Sequence, residues 1–412
     1  MSPVDGPGRT RVPGADNDDR GAWSVFLVFL RLGLTSFGGP IAHLGYYRDE
    51  FVTRRRWLGE RSYADLVALC QFLPGPASSQ FGMALGLSRA GYAGALAAWA
   101  GFTLPSAIAL ILFAIGVASL GEAIPSGALQ GLKVVAVAVV AQAVWGMARN
   151  LCRGPATLVI AAVAAGVVLF LPSSWTQVGV IAAAGLAGVM VIKPAASPVH
   201  EPLPISVTRR AGALWLALFF TLLVGLPVAV QLTSSQAVMM VDAFYRAGSL
   251  VFGGGHVVLP LLQAEVVTPG WVSREAFLAG YGAAQAVPGP LFTFAAFLGA
   301  SMNSAPTGWV GGAIALVAIF VPGFLLVVGA LPYWEALRGS ARARAALAGV
   351  NGAVVGLLFA ALCTPVWTSA IHGPGDAVLA ALALVALMYW KLPPWLVVVA
   401  CGAAGWLFAV VR

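Results

Sequence analysis

Apolar runs close to the length needed to cross a lipid bilayer recur along the whole chain, for example over Gly91–Leu120, Gly127–Ala148 and Ala211–Leu232. A helix crosses the hydrocarbon core with about 20 residues, and these runs are continuous, whereas the strands of a membrane barrel alternate in polarity. Only 9% of the 412 residues are charged, against roughly 25% in soluble domains. The sequence therefore predicts an all-α polytopic membrane protein.

The stretch around Arg31 returns around Arg246. Both arginines lie in apolar sequence six residues before the phenylalanine of a Phe-Gly-Gly sequence, which we call the glycine triplet. It is Phe37-Gly38-Gly39 in the first copy and Phe252-Gly253-Gly254 in the second, 215 positions later. An arginine near the bilayer centre costs roughly 2.5–3.5 kcal/mol, so a repeated one indicates a polar cavity, and its planar fork of donors suits oxyanions. Snorkelling to the membrane interface is the alternative. The glycines either bring backbone close to a ligand or pack helices together.

Each copy then carries a Pro-Gly-Pro motif, Pro74-Gly75-Pro76 and Pro288-Gly289-Pro290, which begins three residues after Gln71 or Gln285. Two prolines around a glycine cannot continue a straight helix, so we expect two half-helices that form either one broken span or a re-entrant hairpin. A half-helix that starts there offers free N–H groups and the positive end of its dipole to an anion. A kink without a ligand is the alternative. Hydroxyl residues follow both motifs, at Ser78, Ser79 and Thr293.

The duplication divides the chain into four parts. We predict a disordered tail over 1–22, a first repeat over 23–193, a linker with one extra span over 194–236 and a second repeat over 237–412. Together they give about 10–13 transmembrane segments. Internal repeats of this kind are typical of secondary transporters, whose site lies at the repeat interface. The copies are inverted if each broken segment crosses the membrane and parallel if it re-enters; the basic loops favour inversion.

Five further polar residues could relay protons or charge. His43 and His256 follow the glycine triplets, Glu50 and Glu265 lie 215 positions apart, and Lys133 interrupts an apolar run. Histidine titrates near neutral pH, and a lysine within a span is costly unless it faces a cavity. Loop histidines without a special role and glutamates that cap loops are the alternatives.

Several classes of protein are disfavoured. The net charge of +8 is spread over the ends of apolar runs, as in positive-inside loops, so it forms no face for nucleic acid. The most charged stretch, Tyr46–Arg61, predicts an aqueous loop with Phe51 and Trp57 at the membrane interface. No P-loop, His-Glu-x-x-His or Gly-x-Ser-x-Gly motif occurs, and the four cysteines lack metal spacing. We therefore expect neither an enzyme nor a bound cofactor or metal.

In both copies the order Arg-x-Gly, Phe-Gly-Gly and Gln-x-x-Pro-Gly-Pro resembles the chromate ion transporter family in its long, two-domain form, over nearly the whole chain. The resemblance implies efflux of chromate across the bacterial inner membrane, chromate resistance, two halves of opposite orientation and about thirteen spans. Sulfate, a similar tetrahedral dianion, is the competing substrate. Uptake, an anion channel and a homodimer stay open.

The residues and the resemblance together give a hypothesis for the site. We expect Arg31 and Arg246 to neutralise a tetrahedral dianion. The backbone amides that follow Pro76 and Pro290, together with the neighbouring hydroxyl groups, would supply directed hydrogen bonds.

Overall fold

The computed structural model describes residues 21–120, 125–193 and 207–411. Residues 1–20 of the predicted disordered tail and residues 194–206 of the predicted linker lie outside these ranges. Within them the chain forms helices and no strand. The helices are α1 (Ala22–Thr35), α2 (Gly39–Arg48), α3 (Glu60–Phe72), α4 (Ala77–Leu120), α5 (Ser126–Leu151), α6 (Pro155–Phe170), α7 (Ser174–Val191), α8 (Arg209–Leu232), α9 (Gln236–Ser249), α10 (Val258–Leu262), α11 (Arg274–Ala284), α12 (Phe294–Ala300), α13 (Gly308–Ala330), α14 (Trp334–Gly339), α15 (Ala341–Ala361), α16 (Thr368–Ala370), α17 (Pro374–Met388) and α18 (Pro394–Val411).

Long apolar helices and exposed apolar side chains characterise the described part of the chain. Large apolar side chains such as Phe170 and Met190 are 87% and 84% exposed, which suits contact with lipid rather than water. Shorter apolar helices of 10–17 residues accompany the long ones. Together they confirm a multi-pass helical membrane protein. Five helical stretches among the described residues are long and apolar enough to cross a bilayer: Ala77–Leu120, Ser126–Leu151, Arg209–Leu232, Gly308–Gly339 and Ala341–Ala370.

The two repeats have the same order of elements. Helices α1, α3, α5, α6 and α7 of the first correspond to α9, α11, α15, α17 and α18 of the second. Helix α4 is interrupted at Ala90 and Gly91, whose backbone leaves the helical region, and its two halves correspond to α12 and α13. Helix α8, between the copies, has no counterpart. The predicted duplication is therefore visible in the architecture.

The repeats exchange helices with each other. Helix α5 of the first repeat packs against α17 and α18 of the second, and α15 of the second packs against α6 and α7 of the first. Glycines make both contacts close: a Cβ on Gly131 would lie 2.1 Å from the carbonyl oxygen of Cys401, and one on Gly349 would lie 2.1 Å from that of Ala184. Neither repeat therefore forms its packed core alone.

The charged stretch after α2 differs from the prediction of an aqueous loop. It continues as a π-helical segment, Asp49–Arg54, and Phe51 within it is fully buried. The Phe51 ring lies 5.2 Å from that of Phe29 and 5.1 Å from that of Trp57, because aromatic side chains of several elements gather here. The expectation that Phe51 lies at the membrane interface is wrong. Its neighbours in sequence are charged, but its ring is buried in this aromatic cluster.

Candidate substrate site at the repeat interface

The first Pro-Gly-Pro motif separates two helices, as its composition predicts. Helix α3 ends at Phe72 and α4 begins at Ala77. Gly75 has φ +122°, a conformation that side chains rarely adopt, and its N–H donates to the carbonyl oxygen of Val251, 2.7 Å away. Val251 directly precedes the glycine triplet of the second repeat. The break of one repeat is thus docked on the other repeat.

The second motif makes the reciprocal contact. Gly289 has φ +98°, and its N–H donates to the carbonyl oxygen of Ser36 at 2.9 Å. Ser36 and Val251 are 215 positions apart and hold equivalent places before their triplets. An exchange of equivalent contacts is the pattern that a two-fold relation between the repeats produces. The structure therefore brings together the two Pro-Gly-Pro motifs and the two glycine triplets, each motif with the triplet of the other repeat.

Buried polar side chains surround the first break. Ser78, Ser79 and Gln80, in the first turn of α4, are each at most 3% exposed. Gln80 Nε2 donates to the carbonyl oxygens of Pro74 (2.9 Å) and Gly323 (3.2 Å), and His43 Nδ1 lies 3.3 Å from Ser78 Oγ. The Ser79 hydroxyl is buried and has no hydrogen-bond partner among the described residues. It is an uncommitted donor beside a helix N-terminus.

The second break has fewer free groups. Thr293 Oγ1 donates to the carbonyl oxygen of Pro290 at 2.7 Å, so its proton is already used. Gln285 Nε2 is buried and makes no hydrogen bond within the described part of the chain. His256 Nδ1 lies 2.8 Å from the Tyr281 hydroxyl oxygen, and its Nε2 would lie 3.8 Å from a Cβ built on Gly39. A histidine of the second repeat therefore stands beside the glycine triplet of the first.

Arg246 lines an open cavity of about 410 Å³. Its Nη2 lies 2.7 Å from Asp242 Oδ2 and 3.0 Å from Glu265 Oε2, and the guanidinium carbon lies 5.6 Å from the ring centre of Trp175. The arginine side chain is 16% exposed. Sequence reasoning missed Asp242, although an acid four residues before an arginine on one helix was a signal for a pair.

The other predicted residues lie in different surroundings. Arg31 is exposed on α1, and its side chain makes no hydrogen bond or ion pair with another described residue. Glu50 occupies the position in the first repeat that Glu265 occupies in the second. It binds Arg55 at 2.6 Å and Arg54 at 3.1 Å, and not Arg31. Gln71 is exposed and Lys133 is half-buried. The two arginines that match in sequence therefore do not have matching environments.

The architecture and this interface together define a class of protein. Two repeats, helices broken at equivalent places and buried polar groups beside the breaks are the features of a secondary transporter. The chain belongs to the family described as Chromate transporter, whose sequence model matches residues 23–189 and 238–406.

Several proteins are similar over most of their length. The chain is 29% identical over 394 residues to the chromate transport protein of Pseudomonas aeruginosa, covering 93% of this chain and 91% of the relative. It is 27% identical to the probable chromate transport protein of Synechococcus elongatus, covering 92% and 94%. An uncharacterized transporter of Methanocaldococcus jannaschii is 25% identical, covering 82% and 83%. No solved structure matches the chain.

Proposed function

We propose that the protein is a secondary transporter that exports chromate from the cytoplasm across the inner membrane and thereby confers chromate resistance. The observation that carries the proposal is the family match over both repeats, together with full-length relatives that are named chromate transport proteins. An inside-negative potential favours the export of a dianion by about 2.3 kcal/mol per charge per 100 mV. Export therefore needs no ATP-binding motif.

The proposed substrate site is the region where the broken segments of the two repeats meet. The glycines of the two Pro-Gly-Pro motifs and of the two glycine triplets supply backbone without a Cβ. Ser79 and Gln285 bring buried donors without a partner among the described residues, and the N-terminus of α4 adds the positive end of a helix dipole. Arg246 supplies its guanidinium from a cavity that none of these motif residues lines, where Asp242 and Glu265 hold it, and Arg31 stays a predicted second cation.

Rearrangement of the broken segments would give alternating access. The bonds from Gly75 to Val251 and from Gly289 to Ser36 join the repeats at their interruptions, where the chain can bend without breaking regular helix pairing. A dianion that replaces one of these carbonyl oxygens as acceptor would couple its own binding to the movement of one repeat against the other.

The experiment is chromate uptake into inside-out vesicles under an imposed membrane potential. Vesicles that contain the protein should accumulate chromate with saturation, and sulfate should be tested as a competitor. Arg246→Gln and Gln285→Leu should each lower the initial rate, while Arg274→Gln, at an exposed arginine of α11, should not. Equal rates in protein-containing and empty vesicles would refute transport. A rate that rises linearly with concentration would indicate a channel.

A further inference from the structure

Two carboxylates bind the single guanidinium of Arg246. Asp242 and Glu265 both bind one nitrogen of the guanidinium, Nη2, and their side chains are 10% and 12% exposed. Two carboxylates and one guanidinium sum to one net negative charge. A dianion that approaches Arg246 therefore meets two carboxylates that already hold the donor it needs.

Three charged side chains line the cavity among the described residues, Asp242, Arg246 and Glu265. Among the described lining residues Arg246 is the one cation, and the remaining lining side chains, including Trp175 and Trp271, carry no charge. The helices that pack against α9 add no further charge to the cavity. Helices α10 and α13 contain no ionisable residue. Helix α8 begins with Arg209 and Arg210, but it lines the cavity with Val230, near its other end. Tyr245, on α9 itself, donates to the carbonyl oxygen of Phe219.

The guanidinium nevertheless keeps part of its binding edge unused. Arg246 Nε is buried and has no hydrogen-bond partner among the described residues. Nε and Nη2 form one of the edges with which an arginine binds two oxygens of a single oxyanion. One half of that edge, Nε, has no hydrogen-bond partner among the described residues, and the other half, Nη2, is held by Asp242 and Glu265.

We propose that Asp242 and Glu265 are proton-coupling residues, and that an oxyanion binds Arg246 only when at least one of them has taken up a proton. The inference rests on the proposed function, in which Arg246 contacts the transported dianion. A proton from water neutralises the carboxylate and weakens its charge-assisted bond to Nη2. The Nε and Nη2 protons then point to two oxygens of the dianion. Proton and oxyanion therefore bind together and cross the membrane in the same direction.

This coupling belongs to the second repeat. In the first repeat, Leu27 stands 215 positions before Asp242, and Glu50 is held by Arg54 and Arg55. One proton carried with one dianion leaves a net charge of −1. An inside-negative potential therefore still drives the complex outward, so the coupling is compatible with export.

The test measures chromate transport into proteoliposomes at a clamped potential over a series of pH values. It compares the wild type with D242N, E265Q, the double variant D242N/E265Q and, as control, E60Q, which removes an exposed carboxylate of α3. Chromate itself takes up a proton in acid, so each variant is compared with the wild type at the same pH. In the wild type the half-saturation concentration for chromate should increase as the pH is raised, by up to about tenfold per pH unit for each linked proton.

The double variant should lose this dependence relative to the wild type, since its amides are neutral at every pH, while E60Q should retain it. A trapped pH dye should report that protons enter with chromate in the wild type and not in the double variant. A double variant with the wild-type pH dependence and proton movement would overturn the inference alone. Failure of the wild type to transport chromate at any pH would overturn the proposed function and the inference with it.

Discussion

Gly75 donates its backbone N–H to the carbonyl oxygen of Val251, and this single bond of 2.7 Å joins the interrupted segment of one repeat to the glycine triplet of the other. The bond from Gly289 to Ser36 repeats the arrangement in the opposite sense. A buried hydrogen bond of this type contributes about 0.5–1.5 kcal/mol net. Two of them can define one arrangement of the repeats without preventing another, which is what a transporter requires of the contacts at its centre.

Alanine at Gly75 or Gly289 should destabilise the protein by about 1–3 kcal/mol, because a side chain is strained at positive φ. The space is also limited, since a Cβ on Gly289 would lie 2.9 Å from Ser106 Oγ. We expect a lower melting temperature in detergent and slower chromate transport. Gly225→Ala on α8 is the control, as a Cβ there would meet nothing within 4 Å. Melting temperatures equal to the wild type in both test variants would contradict the role given to these glycines.

The exchange of helices between the repeats predicts a second effect of added methyl groups. Gly131→Ala and Gly349→Ala should each cost about 1–3 kcal/mol, since backbone on both sides must move apart. Gly146→Ala lies on the same helix as Gly131 but in open space, and it should have no such cost. Thermal unfolding followed by size-exclusion chromatography would measure the difference. Stability that is the same for all three variants would show that the exchanged helices are loosely packed.

The sequence predicted the fold class and the repeat because both depend on local composition and on fixed spacing. Apolar runs define spans, and the two Pro-Gly-Pro motifs interrupt helices wherever they stand. The carbonyl partners of Gly75 and Gly289 could not be predicted, because they belong to the other repeat and nothing in the spacing shows which backbone group faces them. Contacts across an interface of this kind depend on packing and not on local pattern.

The different surroundings of Arg31 and Arg246 also lay beyond sequence symmetry. Arg246 reaches Glu265, but the equivalent Glu50 is taken by Arg54 and Arg55. The turn that follows Glu265, residues 266–273, contains no basic residue. Basic residues outside the repeated motif therefore determine whether the glutamate is available to the arginine of its own repeat. An alignment of the motifs alone does not include these residues.

The ion pairs of Glu50 predict a loss of stability in acid. Burial alone would raise the pKa of this carboxyl, but Arg55 and Arg54 outweigh burial and hold the pKa below its ordinary value of 4.5. The folded protein therefore keeps the proton off at a pH where the unfolded chain has taken it up. The stabilisation is complete above pH 4.5 and is lost as the pH falls through the folded pKa. In Glu50→Gln the melting temperature should fall less steeply over this pH range than in the wild type, and Glu60→Gln is the control. A melting temperature that falls with pH as in the wild type would show that other groups dominate the loss of stability in acid.

Arg338 and Asp65 form a buried ion pair between the repeats, and Arg338 also binds the exposed carboxylate of Glu335. Arg338 Nη1 lies 2.8 Å from Asp65 Oδ1, and the side chains are 14% and 1% exposed. Arg338→Met removes this partner from the buried Asp65 carboxylate and should cost about 3–5 kcal/mol, whereas Asp65→Asn leaves Arg338 bound to Glu335 and should cost less. The double variant Asp65→Leu/Arg338→Met should be more stable than Arg338→Met alone, because the buried carboxylate is removed together with its cation while the exposed Glu335 stays in contact with solvent. The exposed pair of Arg48 and Glu60, 2.7 Å apart, is the matched control, and Glu60→Gln should cost at most about 1 kcal/mol. Thermal unfolding of all the variants in detergent measures these costs, and additive losses in the double variant would mean that Asp65 and Arg338 stabilise the protein independently of each other.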